Sequence, residues 1–361
     1  MVKILLDDNN HRAGLYPFTA TRHTADIRVG ILTLREKWQN LISPSISVSA
    51  SFFSAGNELP GANETAIVSI GAHYIPEPGW INLLNETLTT GKTLPQNWQD
   101  GYRLKQLTHP WHIFQLNDWA LREDYKMITA GRPSQPLSAT NRVTGEEYIF
   151  LEEGATIEHC IINAIEGPVY IGKNALVMEG TMLRGPIAVG EGAVVKMGSK
   201  IYGATTIGPY CTAGGEIKNV VMFGYSNKAH DGYLGDSVIG EWCNLGAGTT
   251  NSNLKNTAGE VRVWSGPHND YIPAGLKCGL LMGDYSRAAI NTSFNTGTVA
   301  GVGCNIFGEG FPPKFISNFT WGKERYTFDK MVEHINNWKK LKGHQLTTVE
   351  INLLHHLYTQ S

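Results

Sequence analysis

The sequence of 361 residues contains no apolar run near the roughly eighteen residues that a membrane-crossing helix requires, so no membrane partner is expected. It also has almost no net charge. Thirty Lys and Arg stand against 32 Asp and Glu, which removes the electrostatic footprint of a nucleic-acid binder. Cysteine is scarce: the five, at 160, 211, 243, 278 and 304, are odd in number and show no CxxC spacing. A disulfide framework or thiolate metal site is therefore not expected, and the cysteines read as packing residues in a reducing cytoplasm. Histidines do not converge either. Only His230 and His268 fall in the irregular stretches described below, too few for a zinc site. Met1-Val2-Lys3 leads into an apolar strand instead of a secretory leader, so a cytoplasmic location is the expectation.

Glycine, by contrast, is plentiful at 40 residues, as a turn-rich β architecture needs. From Ile165 to Cys211 every sixth residue is aliphatic: Ile165, Ile171, Val177, Leu183, Val189, Val195, Ile201 and Ile207. Four residues after each, from Ile171 on, the side chain is mostly small: Ala175, Thr181, Ile187, Ala193, Ser199, Thr205 and Cys211. Gly172, Gly190 and Gly208 repeat at eighteen residues. A period of six fits neither a helix nor a lone strand, but it fits three short strands per turn of a parallel β-helix. The pattern breaks after Cys211, returns briefly at Ile239 and Leu245, and breaks again over residues 251–276. It resumes through Met282, Ala288, Phe294, Ala300 and Ile306. The reading is a solenoid with two excursions, whose polar residues have no part in the repeat.

Before the solenoid, an apolar strand at residues 2–8, a second at 66–70 and helical patterns at 31–38 and 81–88 define a small α/β unit. Basic residues Arg12, Arg22, Arg28 and Lys37 follow its first strand, where open sheets bind ligands and Arg grips phosphate. Pairing of these charges with Asp7, Asp8 and Asp26 is the equal alternative. The pattern divides the chain into an α/β domain at 1–105, a connecting helix and linker at 106–147, the β-helix at 148–312 and a helical cap at 313–361. In the cap, Phe328, Met331, Val332, Ile335 and Trp338 form one apolar face; Val349, Leu353, Leu354 and Leu357 form another.

The first excursion holds Lys218, His230 and Tyr233, with Asn244 and Asn253 nearby. A histidine can serve as general base near neutral pH, lysine can hold a phosphate, and asparagine can hold sugar hydroxyls or a carbonyl. The stretch Glu216-Ile217-Lys218-Asn219, then His230, Tyr233-Leu234-Gly235-Asp236, Asn244-Leu245-Gly246-Ala247-Gly248-Thr249 and Asn253 closely resembles one enzyme family. That family is the bifunctional N-acetylglucosamine-1-phosphate uridyltransferase / glucosamine-1-phosphate N-acetyltransferases, and the likeness covers roughly residues 145–310.

The resemblance implies a left-handed β-helix, a homotrimer, and transfer of acetyl from acetyl-CoA to the amine of an amino-sugar 1-phosphate in nucleotide-sugar biosynthesis. It implies that His230 deprotonates the amine and that Lys218 and Tyr233 hold sugar and phosphate. Asn244 would sit near the acetyl group, and Asn253 would bind the sugar. Lys255 is the nearest candidate for a further phosphate-binding lysine, with Arg262 second. Acetyl-CoA would meet backbone near Ile290 and Gly308. The stretch from Arg12 to Thr19 is similar to a nucleotidyltransferase signature, though Asp8-Asn9-Asn10 replaces its glycines and its later lysine is absent, Arg28 being the substitute. The alternative activity is therefore transfer of a nucleotidyl group from a nucleoside triphosphate to a sugar 1-phosphate. Arg12 and Arg28 would hold the nucleotide and Asp7 or Asp8 a Mg²⁺ ion.

Overall fold

The computed structural model describes residues 2–8, 11–50, 66–92 and 102–360. Ile171, Val177, Leu183, Val189, Val195, Ile201 and Ile207 all point into one buried core, as the six-residue period requires. Each such aliphatic burial is worth about 1.5–3 kcal/mol, repeated down the stack. Strand pairing within the coils is parallel. Ile171 faces Val189 and Leu183 faces Ile201, each eighteen residues on. The result is a three-sided parallel solenoid.

Its first face is built from Arg142–Thr144, Ile161–Asn163, Met182–Arg184 and Lys200–Tyr202. The second begins with Ile149–Leu151 and Val169–Ile171 and ends at Phe315–Ile316. The third forms a ten-stranded sheet: nine strands from Thr156–Ile157 to Thr320–Trp321 and, at its end, the antiparallel strand Glu324–Arg325. Paired strands thus run from 142 to 325, wider than the 148–312 expected from hexads. The five cysteines are free and buried, as the packing reading requires. Among the described residues no helix is long and apolar enough to cross a membrane.

Two expectations change. Ile165 is 58% exposed, although it opens the hexad run. Ile161 pairs with Met182, twenty-one residues on, so this coil carries a longer turn between faces, and Ile165 lies on that turn. The first excursion, moreover, never leaves the solenoid. Ile201 faces Ile217 after sixteen residues and Ile217 faces Leu234 after seventeen. Glu216–Met222 and Tyr233–Ile239 run unbroken round the corner between the first two faces, which shortens the coil. The second excursion is real: residues 252–279 leave the coil and form the antiparallel hairpin Arg262–Ser265 with Asp270–Pro273.

The amino-terminal strands form a three-stranded parallel sheet, Ile46–Ser49, Val2–Asp7 and Ala66–Gly71 in spatial order. Helix Leu34–Leu41 starts on a Thr33/Glu36 capping box and packs Trp38 edge-on against Trp80. The loop between the first strand and this helix lies on the solenoid's second face. Leu15, Phe18, Ile27 and Val29 share a core with Val221, Phe223, Val238, Leu281 and Val299. Gly30 packs against the helix Asn117–Thr129: its φ is +80°, and a side chain there would meet the Asp124 carboxylate and the Ala120 carbonyl.

The C-terminal helices, Phe328–Lys340 and Thr348–Gln360, bury Met331, Ile335 and Leu354. They do more than close the end. They brace the corner between second and third faces, where Tyr210, Tyr225, Trp242, Tyr285 and Phe319 all sit at φ of +55° to +62°. Left-handed backbone costs about 1–2 kcal/mol per non-glycine residue. Ring stacking at 5.1 Å for Tyr210–Tyr225 and 4.3 Å for Tyr225–Trp242 offsets part of that. Lys339 is buried between the two helices, its ammonium donating to Glu350 at 2.7 Å.

Candidate functional site

Parallel register sets the site. Along the first face Lys200, Glu216 and Tyr233 form one cross-coil row, and Tyr202, Lys218 and Gly235 form the next row along the strands. The Tyr202 hydroxyl donates to Glu216 at 2.7 Å, and the Lys218 ammonium lies 5.7 Å from the centre of the Tyr202 ring. Cation and ring attract at such distances, which holds the lysine over the face.

One coil on, Asn253 stands at the neck of the second excursion, where its carbonyl accepts from the Cys278 amide at 3.0 Å. Its amide donates to the Tyr233 hydroxyl at 3.1 Å and to Asp236. Asp236, 5% exposed, also accepts from the Asn219 amide at 2.6 Å. Burial, then the charges of Asp236 and Glu216 and neighbouring Tyr202, push the Tyr233 phenol up to about 12, so it keeps its proton at neutral pH. Lys218, Tyr233 and Asn253 are thus brought together.

His230 sits, exposed, at the corner between the third and first faces, three residues before Tyr233. Its backbone is pinned from beneath. Lys228 is fully buried, and its ammonium donates to the carbonyls of Gly214, His230 and Asp231. Burial pulls this lysine down to about 8. Sequence reasoning passed over Lys228. The signal was its place in the strand Asn227–Lys228, where alternation points it into the core. Asn244 lies on the third face, paired with Asn227, and so borders the same corner from the other side.

The later coils keep that corner. Gly248 donates to the Asp231 carbonyl at 3.1 Å, and Asn291 donates to the Ala247 carbonyl at 2.7 Å. Ile290, 69% exposed, therefore follows His230 along one edge. Gly308 continues it and lines a cavity of about 740 Å³ with Phe307, Phe311, Pro312 and Lys323. Lys255 stands apart: its ammonium bonds the Glu260 carbonyl within the excursion. Arg262 is likewise held, by the Tyr271 carbonyl.

The amino-terminal basic cluster is committed to protein partners. Arg12 donates to Asp8 at 3.0 Å and to the carbonyls of Arg22 and Thr19. Arg28 donates to the Ile31 carbonyl and lies 3.8 Å from Glu36. Lys37 pairs with buried Asp124. Asp8 also accepts from the Thr24 amide at 3.0 Å and lies 3.4 Å from His23. That carboxylate is committed to donors, and among the described residues no three His, Cys, Asp or Glu converge as a metal ion would need. Asp8 is thus engaged by protein donors at the place where the sequence reading puts a Mg²⁺ ion.

Two features define the class: a hexapeptide-type solenoid with a polar site on one face, and a small α/β unit docked on another. Residues 3–99 match a family model described as sugar nucleotidyl transferase. The bifunctional sugar-1-phosphate nucleotidylyltransferase/acetyltransferase of Sulfurisphaera tokodaii is 30% identical over 58% of this chain and 45% of its own length. A bifunctional GlmU protein of Methanococcus maripaludis is 27% identical over 75% of this chain and 58% of its own. That of Methanocaldococcus jannaschii is 33% identical over 25% and 22%. The chain is similar to these bifunctional proteins, and it spans at most about three-fifths of the length of each.

Proposed function

We propose that the protein transfers acetyl from acetyl-CoA to the amine of an amino-sugar 1-phosphate. The observation that carries this reading is the convergence of Lys218, Tyr233 and Asn253 on one face, with His230 at the adjoining corner. An ammonium suits a phosphate, the phenol and amide suit sugar hydroxyls, and the exposed imidazole is open to a substrate amine. The amine nitrogen attacks the thioester carbon while His230 takes its proton. The tetrahedral intermediate then expels the coenzyme A thiolate, which is protonated as the amide forms. No cysteine takes part. Burial drives the thiols of Cys211 and Cys243 up, to about 12 for Cys211, away from nucleophilic thiolate.

The edge running from Ile290 to Gly308 and its cavity would hold the acetyl donor, and Asn244 would approach from the third face. A homotrimer fits the exposed apolar residues Ile161 and Met182, which are stacked on the same first face. Incubating acetyl-CoA with a panel of amino-sugar phosphates and following thiol release tests the reading; silence across the panel would end it.

A second reading rests on the family match of residues 3–99: nucleotidyl transfer to a sugar 1-phosphate by the α/β unit. Pyrophosphate release, assayed with several nucleoside triphosphates on wild type and Arg12→Ala, separates the two.

A further inference from the structure

The acceptor site has a polarity, and one buried carboxylate sets it. A carboxylate only accepts hydrogen bonds, so any amide facing it must turn its NH₂ inward and its oxygen away. Asp236, 5% exposed and at φ +46°, receives the amides of Asn219 and Asn253, one on each oxygen. The same Asn253 NH₂ donates to the Tyr233 hydroxyl oxygen at 3.1 Å, so the phenolic proton cannot point back at Asn253. Nor does Glu216 on the neighbouring strand stand fully open to it, since its Oε1 already accepts from Tyr202 at 2.7 Å.

We infer that Asp236 is a positioning residue that makes the site read a donor beside an acceptor on the ligand: a sugar hydroxyl or amine at the side-chain oxygen Oδ1 of Asn253, and a phosphate or carbonyl oxygen at the Tyr233 hydroxyl. The inference rests on the acetyltransferase reading of this face and adds the pattern by which it selects its ligand. A ligand with acceptors at both points would leave the Asn253 oxygen unpaired, which costs about tenfold or more in affinity.

Two variants test it, with calorimetric binding of glucosamine-1-phosphate and thiol release read side by side. Asp236→Asn keeps the shape but supplies a donor, which frees Asn253 to turn over. Its Kd for the sugar phosphate should rise about tenfold or more, while KM for acetyl-CoA stays within about threefold. The exchange Asp236→Asn with Asn253→Asp restores an internal amide–carboxylate pair and still satisfies Asn219. The new carboxylate at 253, however, claims the Tyr233 proton. Its melting temperature should return towards wild type while sugar-phosphate binding stays weak. A purely structural Asp236 would recover both, so a double variant that binds like wild type overturns the inference. So does Asp236→Asn with an unchanged Kd, or a wild type that binds no sugar phosphate. A wild type that binds it without acetylating it would sink the acetyltransferase reading and leave this one standing.

Discussion

The Arg22 guanidinium donates to the carboxylate of Asp284, 262 residues later, and lies 3.2 Å from Glu241. Arg22 belongs to the loop after the first strand, and both acids belong to the solenoid, so this cluster fastens the two parts together. Phe223 adds its ring, 4.9 Å beneath the guanidinium. Removing the cation would strand two carboxylates, one of them buried. Arg22→Met should therefore lower unfolding free energy by about 3–5 kcal/mol in urea titrations. Adding Asp284→Asn should recover part of the loss. A neutral Arg22→Met would show that the loop docks through its apolar residues alone.

Lys228 acts at a distance from substrate. Replacing it with Met leaves the carbonyls of Gly214 and His230 without this donor, while that of Asp231 keeps the Gly248 amide, at about 1–3 kcal/mol for each buried group left unsatisfied. The corner that carries His230 should loosen. Lys228→Met is expected to lower kcat about tenfold or more, with a smaller change in KM for the sugar phosphate, as steady-state thiol release would show.

Acid should weaken the amino-terminal unit through His73. Burial, and secondarily the charge of His11, whose tilted ring lies 3.6 Å away centre to centre, lowers its pKa from 6.5 to about 4. Between those values the unfolded chain binds a proton that the folded chain does not. Stability is therefore complete above about 6.5 and declines as pH falls towards 4. Urea midpoints at pH 7 and pH 5 should differ less in His73→Phe than in wild type. Equal differences would remove His73 from the account.

The aromatic corner and the terminal helices stand or fall together. Trp242 stacks on Tyr225, and the Lys339 ammonium lies 5.0 Å from its ring. Trp242→Ala should cost about 3–5 kcal/mol and expose residues 328–360 to limited proteolysis before the coils are cut.

Much of this was legible beforehand. Val177 or Leu183 needs only a six-residue count to be placed, because each coil repeats one local rule. Ile165 escaped that rule because a longer turn shifts the register without altering composition. The shortened coils at Glu216 and Tyr233 resembled an excursion for the same reason: losing one or two residues from eighteen destroys a hexad while the strands still pair. The site residues were legible as a spacing, but their donors and acceptors were not. Nothing local announces that Asp236 faces both Asn219 and Asn253, or that Arg22 would reach Asp284. The basic cluster illustrates the point: among residues that look like phosphate ligands, the decisive partners lie up to 262 positions away.

The central claim is that the imidazole of His230 takes the proton of an attacking amine beside Lys218, Tyr233 and Asn253. Thiol release from acetyl-CoA with saturating glucosamine-1-phosphate, compared between wild type and His230→Ala of matched melting temperature, tests it most directly. The account predicts a fall in kcat of about a hundredfold or more with sugar-phosphate binding retained. A variant that acetylates at the wild-type rate would contradict it.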